Sequence, residues 1–127
     1  PRVRRARGGR RIATLEDLRR LSLALPQACE VPWKGQTFFQ VGSKAFALAW
    51  EGRGVLKLDK AHQEFLFEVR PDTFTKFRVG TGHWSYVELS HLDDAELADL
   101  VREAWSQVVP KKVSRPVLEA AGAARPA

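Results

Sequence analysis

The chain has 127 residues and a formal net charge of +6, with 21 basic and 15 acidic side chains. This length fits one domain, whose core is large enough to be stable without a metal or a disulfide. The single cysteine, Cys29, excludes an intramolecular disulfide and a paired-cysteine metal site. No apolar run approaches the roughly 18–20 residues of a membrane span. We therefore expect a cytoplasmic protein that has neither a membrane segment nor a secretory signal.

The positive charge is concentrated at the beginning of the chain. Six arginines lie within the first eleven residues, which contain no acidic side chain. Residues 12–113 carry 13 basic and 14 acidic side chains and are almost neutral. Repelling charges and a lack of large apolar side chains predict that residues 1–11 form a disordered segment, called here the arginine-rich arm. Nucleic-acid binding would have to come from this arm or from a local basic patch on the domain.

The first predicted element is a helix that begins after Thr14. Thr14 and Asp17 have the spacing of a capping box, with Asp in the place of the usual Glu or Gln. Leucines at positions 15, 18, 21 and 25 follow at helical spacing, and Pro26 ends the pattern.

Between residues 30 and 58 the apolar pattern changes to a period of two. It predicts three antiparallel strands over 36–41, 44–50 and 55–58, joined by glycine-containing turns. In the second strand, strict alternation predicts that the three alanines at 45, 47 and 49 share one face. The opposite face would then carry Lys44, Phe46, Leu48 and Trp50.

The second half of the chain combines helices with a further strand. A helix is predicted over 60–69, then an irregular segment or short strand over 74–82, and alternation again over 84–89. Asp93 or Asp94 begins the last predicted helix, which Pro110 ends, and residues 114–127 are expected to be a flexible tail. The apolar stripe of that helix consists of Leu97, Leu100, Val101, Ala104, Trp105 and Val108. The predicted class is α+β in a single domain over residues 12–113.

Three blocks of the sequence resemble the MmcQ/YjbR family. They are Leu23-Ala24-Leu25-Pro26-Gln27-Ala28, Thr37-Phe38-Phe39-Gln40-Val41-Gly42-Ser43-Lys44-Ala45-Phe46-Ala47, and Glu103-Ala104-Trp105 with Pro110-Lys111-Lys112-Val113. The Leu56-Lys57 pair and the acidic start of the last helix also match, so the resemblance covers about residues 13–113. It implies a fold similar to that of frataxin (CyaY-like), with the N-terminal and C-terminal helices packed on one face of an antiparallel sheet. It also implies DNA binding, although the arginine-rich arm and residues 80–84 depart from the family pattern.

Basic side chains are the candidate phosphate contacts. The resemblance assigns this role to Lys44, Lys57, Lys111 and Lys112, and Arg53 lies at a turn from which it would reach a DNA groove, flanked by Lys34 and Arg78. The arm supplies Arg4, Arg5, Arg10 and Arg11, which would lie along phosphates or in a minor groove. The alternatives are that the lysines only solubilise the sheet and end the last helix, that Arg53 occupies an ordinary exposed turn, and that the arm binds any polyanion without selectivity.

Trp84 and Tyr86 raise the question of base stacking. The alternation places both opposite Val87 and Leu89. If Lys57 shares their face, aromatic and cationic groups would together form a surface for unpaired bases. The alternative is that a helix or the C-terminal tail covers the rings, which would then belong to the core.

Enzymatic chemistry has little support. His62, His83 and His91 lack ligand spacing, so neither a metal nor another cofactor is expected, and neither a phosphate-binding loop nor a nucleophile elbow is present. A Cys29–histidine nucleophile stays open because neighbours in space are not visible in a sequence. The acidic residues of the helices suit a solvated face better than an iron site.

The sequence thus favours a non-enzymatic domain that binds DNA or another polyanion. The alternative is a protein-interaction or housekeeping domain whose basic arm is incidental.

Overall fold

The structure, a computed structural model, describes residues 11–78 and 82–123. In chain order its elements are α1 (Leu15–Leu23), β1 (Ala28–Trp33), β2 (Gln36–Val41), β3 (Lys44–Trp50), β4 (Arg53–Lys57), α2 (Lys60–Val69), β5 (Phe74–Lys76), β6 (Trp84–Val87), α3 (Asp94–Ser106) and α4 (Lys111–Ala123). A short 3-10 helix at Leu89–His91 precedes α3.

The strands form one antiparallel sheet in the order β1-β2-β3-β4-β6-β5. The first four strands make a meander of neighbouring hairpins, and β6 returns to pair with β4 and leaves β5 at the edge. Helices α1 and α3 pack on one face of this sheet, here called the helix side. The α+β fold with its terminal helices on one face is therefore confirmed.

The helix-side core follows the predicted apolar stripes. Leu18 of α1 and Trp105 of α3 are fully buried, as are Ala47 and Leu56 of the central strands. The indole Nε1 of Trp105 donates a hydrogen bond of 3.0 Å to the carbonyl of Pro26. This bond fixes α3 to the segment that follows α1.

The first turns of α1 and α3 have the capping residues that the sequence predicts. The Thr14 hydroxyl accepts from the Asp17 backbone N–H at 3.3 Å, and the Asp17 carboxylate accepts from the Thr14 backbone N–H at 2.9 Å. At α3 the Asp93 side chain accepts from the backbone N–H of Glu96. Each cap satisfies a backbone donor that the first helical turn leaves without a partner.

The structure differs from strict alternation in β3. Phe39 faces Ala47, but the next residue of β2, Gln40, faces Ala45, so Phe46 is an extra residue in a β-bulge. The bulge reverses the alternation, because one inserted residue moves the side chains beyond it to the other face. Phe46 therefore packs into the helix-side core with the second and third alanines, and does not share a face with Leu48 and Trp50 as expected.

Two elements were not foreseen. The six residues of β1 form a separate edge strand before the predicted meander. Residues 111–123 form α4, where the sequence suggested a tail from 114 onward, although Pro116 lies inside the helix. Val113 and Val117 pack against the helix-side core, and this contact holds α4 in place.

Within the described ranges, none of the helices combines the length and the apolar character that crossing a membrane requires.

Candidate nucleic-acid interface

The register of the sheet brings one row of side chains together on the face opposite α1 and α3. Counted across all six strands, the row runs through Val31, Phe38, Leu48, Val55, Tyr86 and Thr75. Leu48 and Val55, in the middle of the row, are 4% and 0% exposed. They form a second apolar cluster with Phe77, distinct from the helix-side core. This side of the sheet is therefore packed by its own side chains.

Aromatic rings cover that second cluster. We call the surface made by Trp33, Phe38, Trp50, Phe77, Trp84 and Tyr86 the outer aromatic face. Trp33 and Trp50 are stacked with centroids 6.1 Å apart and an interplanar angle of 23°. Phe77 meets Trp50 edge-on at 5.6 Å and Tyr86 edge-on at 5.0 Å. These separations are those of favourable aromatic pairs, so the rings are held in place by one another before any ligand binds.

Exposure varies across the outer aromatic face. Trp33 is 48% exposed at the β1 edge, whereas Phe77 is 5% exposed. Phe38, Trp50, Trp84 and Tyr86 are half-buried. The rings are thus partly core and partly open to a ligand. The sequence-based alternative attributed their burial to a helix or the C-terminal tail, but within the described residues it is neighbouring rings of the sheet that cover them.

Three cations lie on or beside these rings. The Arg53 guanidinium is 3.7 Å from the centroid of Tyr86, and Lys34 Nζ is 5.0 Å from the centroid of Trp33. Lys57 pairs in register with Trp84, which places both on the same face. Cations and aromatic groups therefore share one face of the sheet, which was the condition for base stacking set out from the sequence.

None of these cations forms an ion pair with an acidic side chain of residues 11–78 or 82–123. Arg53 is exposed at the start of β4, and its guanidinium keeps N–H donors at its edges while its plane lies over a ring. A phosphate can therefore be bound there without first breaking a salt bridge.

The other predicted phosphate contacts lie elsewhere. Lys44 pairs in register with Val41, whose side chain packs against the helix-side core, so Lys44 is on the helix side of the β2–β3 turn. Lys111 and Lys112 are exposed at the start of α4. The alternative that they end the last helix does not hold, because they begin a further one, where the helix dipole disfavours cations. The predicted set is thus divided between two sides of the molecule.

Arg11 is occupied within the domain. Its guanidinium forms a bidentate ion pair with the Asp17 carboxylate, and its Nη2 is 3.9 Å from Asp94. Arg4, Arg5 and Arg10 lie outside the described residues, so their role as phosphate contacts stays a prediction.

The helix side is rich in charge that is already paired. Arg20 contacts both Asp17, at 3.2 Å, and Asp94, at 2.7 Å. The hydrogen bond that Arg20 donates to the Asp17 carboxylate, together with the negative charge of Asp94, raises the pKa of Arg20. The hydrogen bond and charge of Glu30, 2.6 Å away, likewise raise the pKa of Arg19. Because both arginines are already paired with carboxylates, they are poor candidates for phosphate contacts.

Several acidic residues of the helices also have partners within the domain. Glu103 contacts His62 Nδ1 at 2.6 Å and accepts from the Asp59 backbone N–H, and Glu96 contacts Arg70 at 3.1 Å. Over the described parts of the chain, no group of three His, Cys, Asp or Glu side chains is arranged to hold a metal ion. Glu96 and Glu103 are thus bound to side chains and backbone groups of the domain itself.

Sequence reasoning missed four rings of the outer aromatic face. It found Trp84 and Tyr86, but it did not connect them with Trp33, Phe38, Trp50 and Phe77. Phe38, Trp50 and Tyr86 stand at alternating strand positions, and that signal was available. The missing information was the strand order, because β4 pairs with β6 and so brings residues some 30 positions apart into one layer.

Comparison with known proteins agrees with this architecture. The YjbR family model matches residues 23–107. A solved structure, the crystal structure of protein DR2400 from Deinococcus radiodurans with a domain of family DUF419, is similar with a TM-score of 0.67. The match has 24% sequence identity and covers 87% of this chain and 89% of that one, and at this identity the likeness shows the fold. No curated protein matches the chain. The family match over two thirds of the sequence confirms the resemblance seen in its three blocks, and the chain belongs to the YjbR family.

Proposed function

We propose that this protein is a non-catalytic DNA-binding domain that holds unpaired strands on its outer aromatic face. The observation that supports this proposal is the combination of partly open, mutually stacked rings with cations that have no acidic partner among the residues that the structure describes. Bases have flat faces that stack on aromatic side chains whatever their sequence, and each stacked base contributes about 1–3 kcal/mol as judged by alanine substitution. The adjacent cations contact the phosphates that link the bases.

A single strand fits this surface better than a duplex does. The bases of a duplex are stacked on one another and present only their edges in the grooves, so aromatic faces have nothing to stack on. An antiparallel sheet with exposed rings is instead suited to bases that are splayed apart. Affinity is therefore expected to be higher for single-stranded DNA.

The proposal is tested by fluorescence anisotropy with a labelled single strand and with its duplex. Trp33→Ala removes the most exposed ring and is expected to weaken single-strand binding about fivefold to a hundredfold, which corresponds to about 1–3 kcal/mol. Arg53→Gln removes one phosphate contact and is expected to weaken binding mainly at low salt. Lys112→Gln, a lysine on the helix side, is the matched control and is expected to leave the affinity unchanged.

Two results would contradict the proposal. One is equal affinity of the Trp33→Ala variant and the unchanged protein for single strands. The other is a loss of binding in Lys112→Gln but not in Arg53→Gln, which would place the contact on the helix side.

The near-neutral domain favours a second candidate, a protein-interaction domain. Strand β1 is an edge strand in which Val31 and Trp33 are 37% and 48% exposed, and an extended peptide pairs with edges of this kind. This candidate predicts that Val31→Lys abolishes capture of a protein partner, whereas a cation added to this face does not weaken single-strand binding.

A further inference from the structure

The structure has a cavity at one corner of the sheet that the proposed binding of unpaired strands does not use. It lies between α2, the end of β5 and the start of β6, and its volume is about 430 Å³. We call it the corner pocket. Its size is within the range of about 300–1,000 Å³ that is typical of small-ligand sites.

The lining of the corner pocket is basic on balance. Lys60, Lys76 and His83 contribute to its wall, and Glu64 is the acidic side chain among the described lining residues. Lys60 and Lys76 are exposed and have no ion-pair partner within the described ranges. The wall thus offers donors and positive charge to an anionic group such as a phosphate.

A buried acceptor without a partner also lines the corner pocket. Gln63 is 4% exposed, and its Oε1 accepts no hydrogen bond from any described residue. A buried carbonyl oxygen without a donor costs about 1–3 kcal/mol, so such atoms are rare in folded proteins without a reason. Because this oxygen itself has almost no accessible surface, the Gln63 amide has to turn into the corner pocket for a ligand N–H to satisfy it. Inorganic phosphate at neutral pH is chiefly an acceptor and would not do so.

Three aromatic residues also line the corner pocket. They are Phe67 from α2, Phe77 after β5 and Trp84 at the start of β6. Gly82 adopts a φ of +99°, which favours glycine, and a Cβ built on it would be in van der Waals contact with the Trp84 indole, 3.4 Å from Nε1. Phe77 and Trp84 belong both to the lining of the corner pocket and to the outer aromatic face, so the two sites adjoin.

We propose that the corner pocket binds one phosphorylated nucleotide. Its base would lie against Trp84 and donate an N–H to Gln63 Oε1, and its phosphate would be held by Lys60, Lys76 and His83. The nucleotide is either free or the phosphorylated end of a strand. The second form rests on the proposed function, because it requires a strand on the outer aromatic face.

The test is calorimetric titration of the full chain with adenosine 5′-monophosphate, ribose 5-phosphate, adenosine and inorganic phosphate. Adenosine 5′-monophosphate is expected to bind at least about tenfold more tightly than each of the others, because only it offers both an N–H and a phosphate. Absence of binding up to about 5 mM would overturn the inference, since that limit allows only about 3 kcal/mol of affinity. Equal affinity for ribose 5-phosphate would also overturn it, because the base would then contribute nothing.

Variants separate the two halves of the site. Gln63→Leu is expected to weaken adenosine 5′-monophosphate about tenfold and to leave ribose 5-phosphate unchanged, whereas Lys76→Gln, at an exposed position that does not endanger folding, weakens both. Arg115→Gln, at an exposed position of α4, is the control and is expected to leave both affinities unchanged. Unchanged affinity for adenosine 5′-monophosphate in both Gln63→Leu and Lys76→Gln would refute the assignment.

Oligonucleotides with and without a 5′-phosphate or a 3′-phosphate distinguish the source of the nucleotide. If an end phosphate adds affinity that Gln63→Leu removes, the ligand is a strand end; if it adds none while adenosine 5′-monophosphate binds, the ligand is a free nucleotide. Strand binding that depends on Arg53, without any binding of adenosine 5′-monophosphate, would refute the corner pocket and leave the proposed function standing.

Discussion

Asp17 serves at once as a helix cap and as the centre of an ion-pair network. Its side chain is almost fully buried, yet it accepts hydrogen bonds from the Thr14 backbone and hydroxyl and from the guanidinium groups of Arg11 and Arg20. The carboxylate thereby joins the chain before α1 to the helix itself. Through Arg20 and Asp94 the network also reaches the first turn of α3.

Asp17→Ala is therefore expected to lower the free energy of unfolding by about 2–3 kcal/mol, because it removes a cap and leaves Arg11 and the Thr14 backbone N–H without their acceptor. Urea denaturation measures the change as a lower midpoint at constant m-value. Asp72→Ala, at an exposed turn, is the control and is expected to stay within about 0.5 kcal/mol. A loss of the same small size in Asp17→Ala would show that the network contributes little.

Helix α4 is the element whose sequence conflicts most with its structure. Pro116 lies inside it and lacks the N–H that would bond to the carbonyl of Lys112. Packing of Val113 and Val117 and the burial of Ser114 oppose this intrinsic cost. The helix therefore depends on its contact with the rest of the protein.

Pro116→Ala is accordingly expected to stabilise α4 by about 1–3 kcal/mol, since proline is the least favourable residue of a helix interior. Slower amide hydrogen exchange over residues 111–123 would show the effect. In the control Pro71→Ala, at a turn after α2, loss of a rigid loop residue is expected to lower stability slightly. Faster exchange in Pro116→Ala would mean that the proline fits a bend that the helix needs.

At the level of elements, the sequence predicted those helices and strands whose apolar residues recur at a regular spacing and whose ends carry a capping residue or a turn glycine. The helices after Thr14 and Asp93 and the hairpins around Gly42 and Gly52 were foreseen because local chemistry determines them. Strand β1 was not, because five of its six residues are exposed and Pro32 interrupts them, so no alternating burial marked it. The bulge at Phe46 depends on pairing with another strand, which a local pattern does not contain.

The same limit applied to the candidate site. Arg53 and Lys57 were recognised as candidates because a turn glycine and a family position mark them. Their juxtaposition with Tyr86 and Trp84 depends on the order of strands in the sheet, and the corner pocket depends on where α2 lies against β5 and β6. Neither is a property of sequence spacing.

For the whole molecule, the separation of charge predicts two different contributions to DNA affinity. The outer aromatic face offers three cations, and residues 1–10 carry five more arginines. For single strands each phosphate contact adds about −0.7 to the slope of log affinity against log salt concentration. The chain without residues 1–10 should therefore give a slope of about −2, and the full chain a slope of up to about −6.

Arg11 must be kept in the shortened chain, because its ion pair with Asp17 belongs to the fold. Anisotropy titrations across a salt series measure both slopes. Identical slopes would mean that the arm contacts no phosphate. A slope near zero for the shortened chain would mean that Lys34, Arg53 and Lys57 contact none.

Leu48 and Val55 are shielded from water by the very rings to which we assign the contact with DNA. No helix of the described residues is packed over them as α1 and α3 are packed over the other core. The rings are therefore needed for the stability of the sheet, whether or not they also bind DNA. Selection for stability alone would retain most of these aromatic residues in a descendant that had lost its ligand. Conservation of the buried rings among relatives would consequently say little about DNA binding. Conservation of the exposed Trp33 and Arg53 would be the better indicator that DNA binding has been retained.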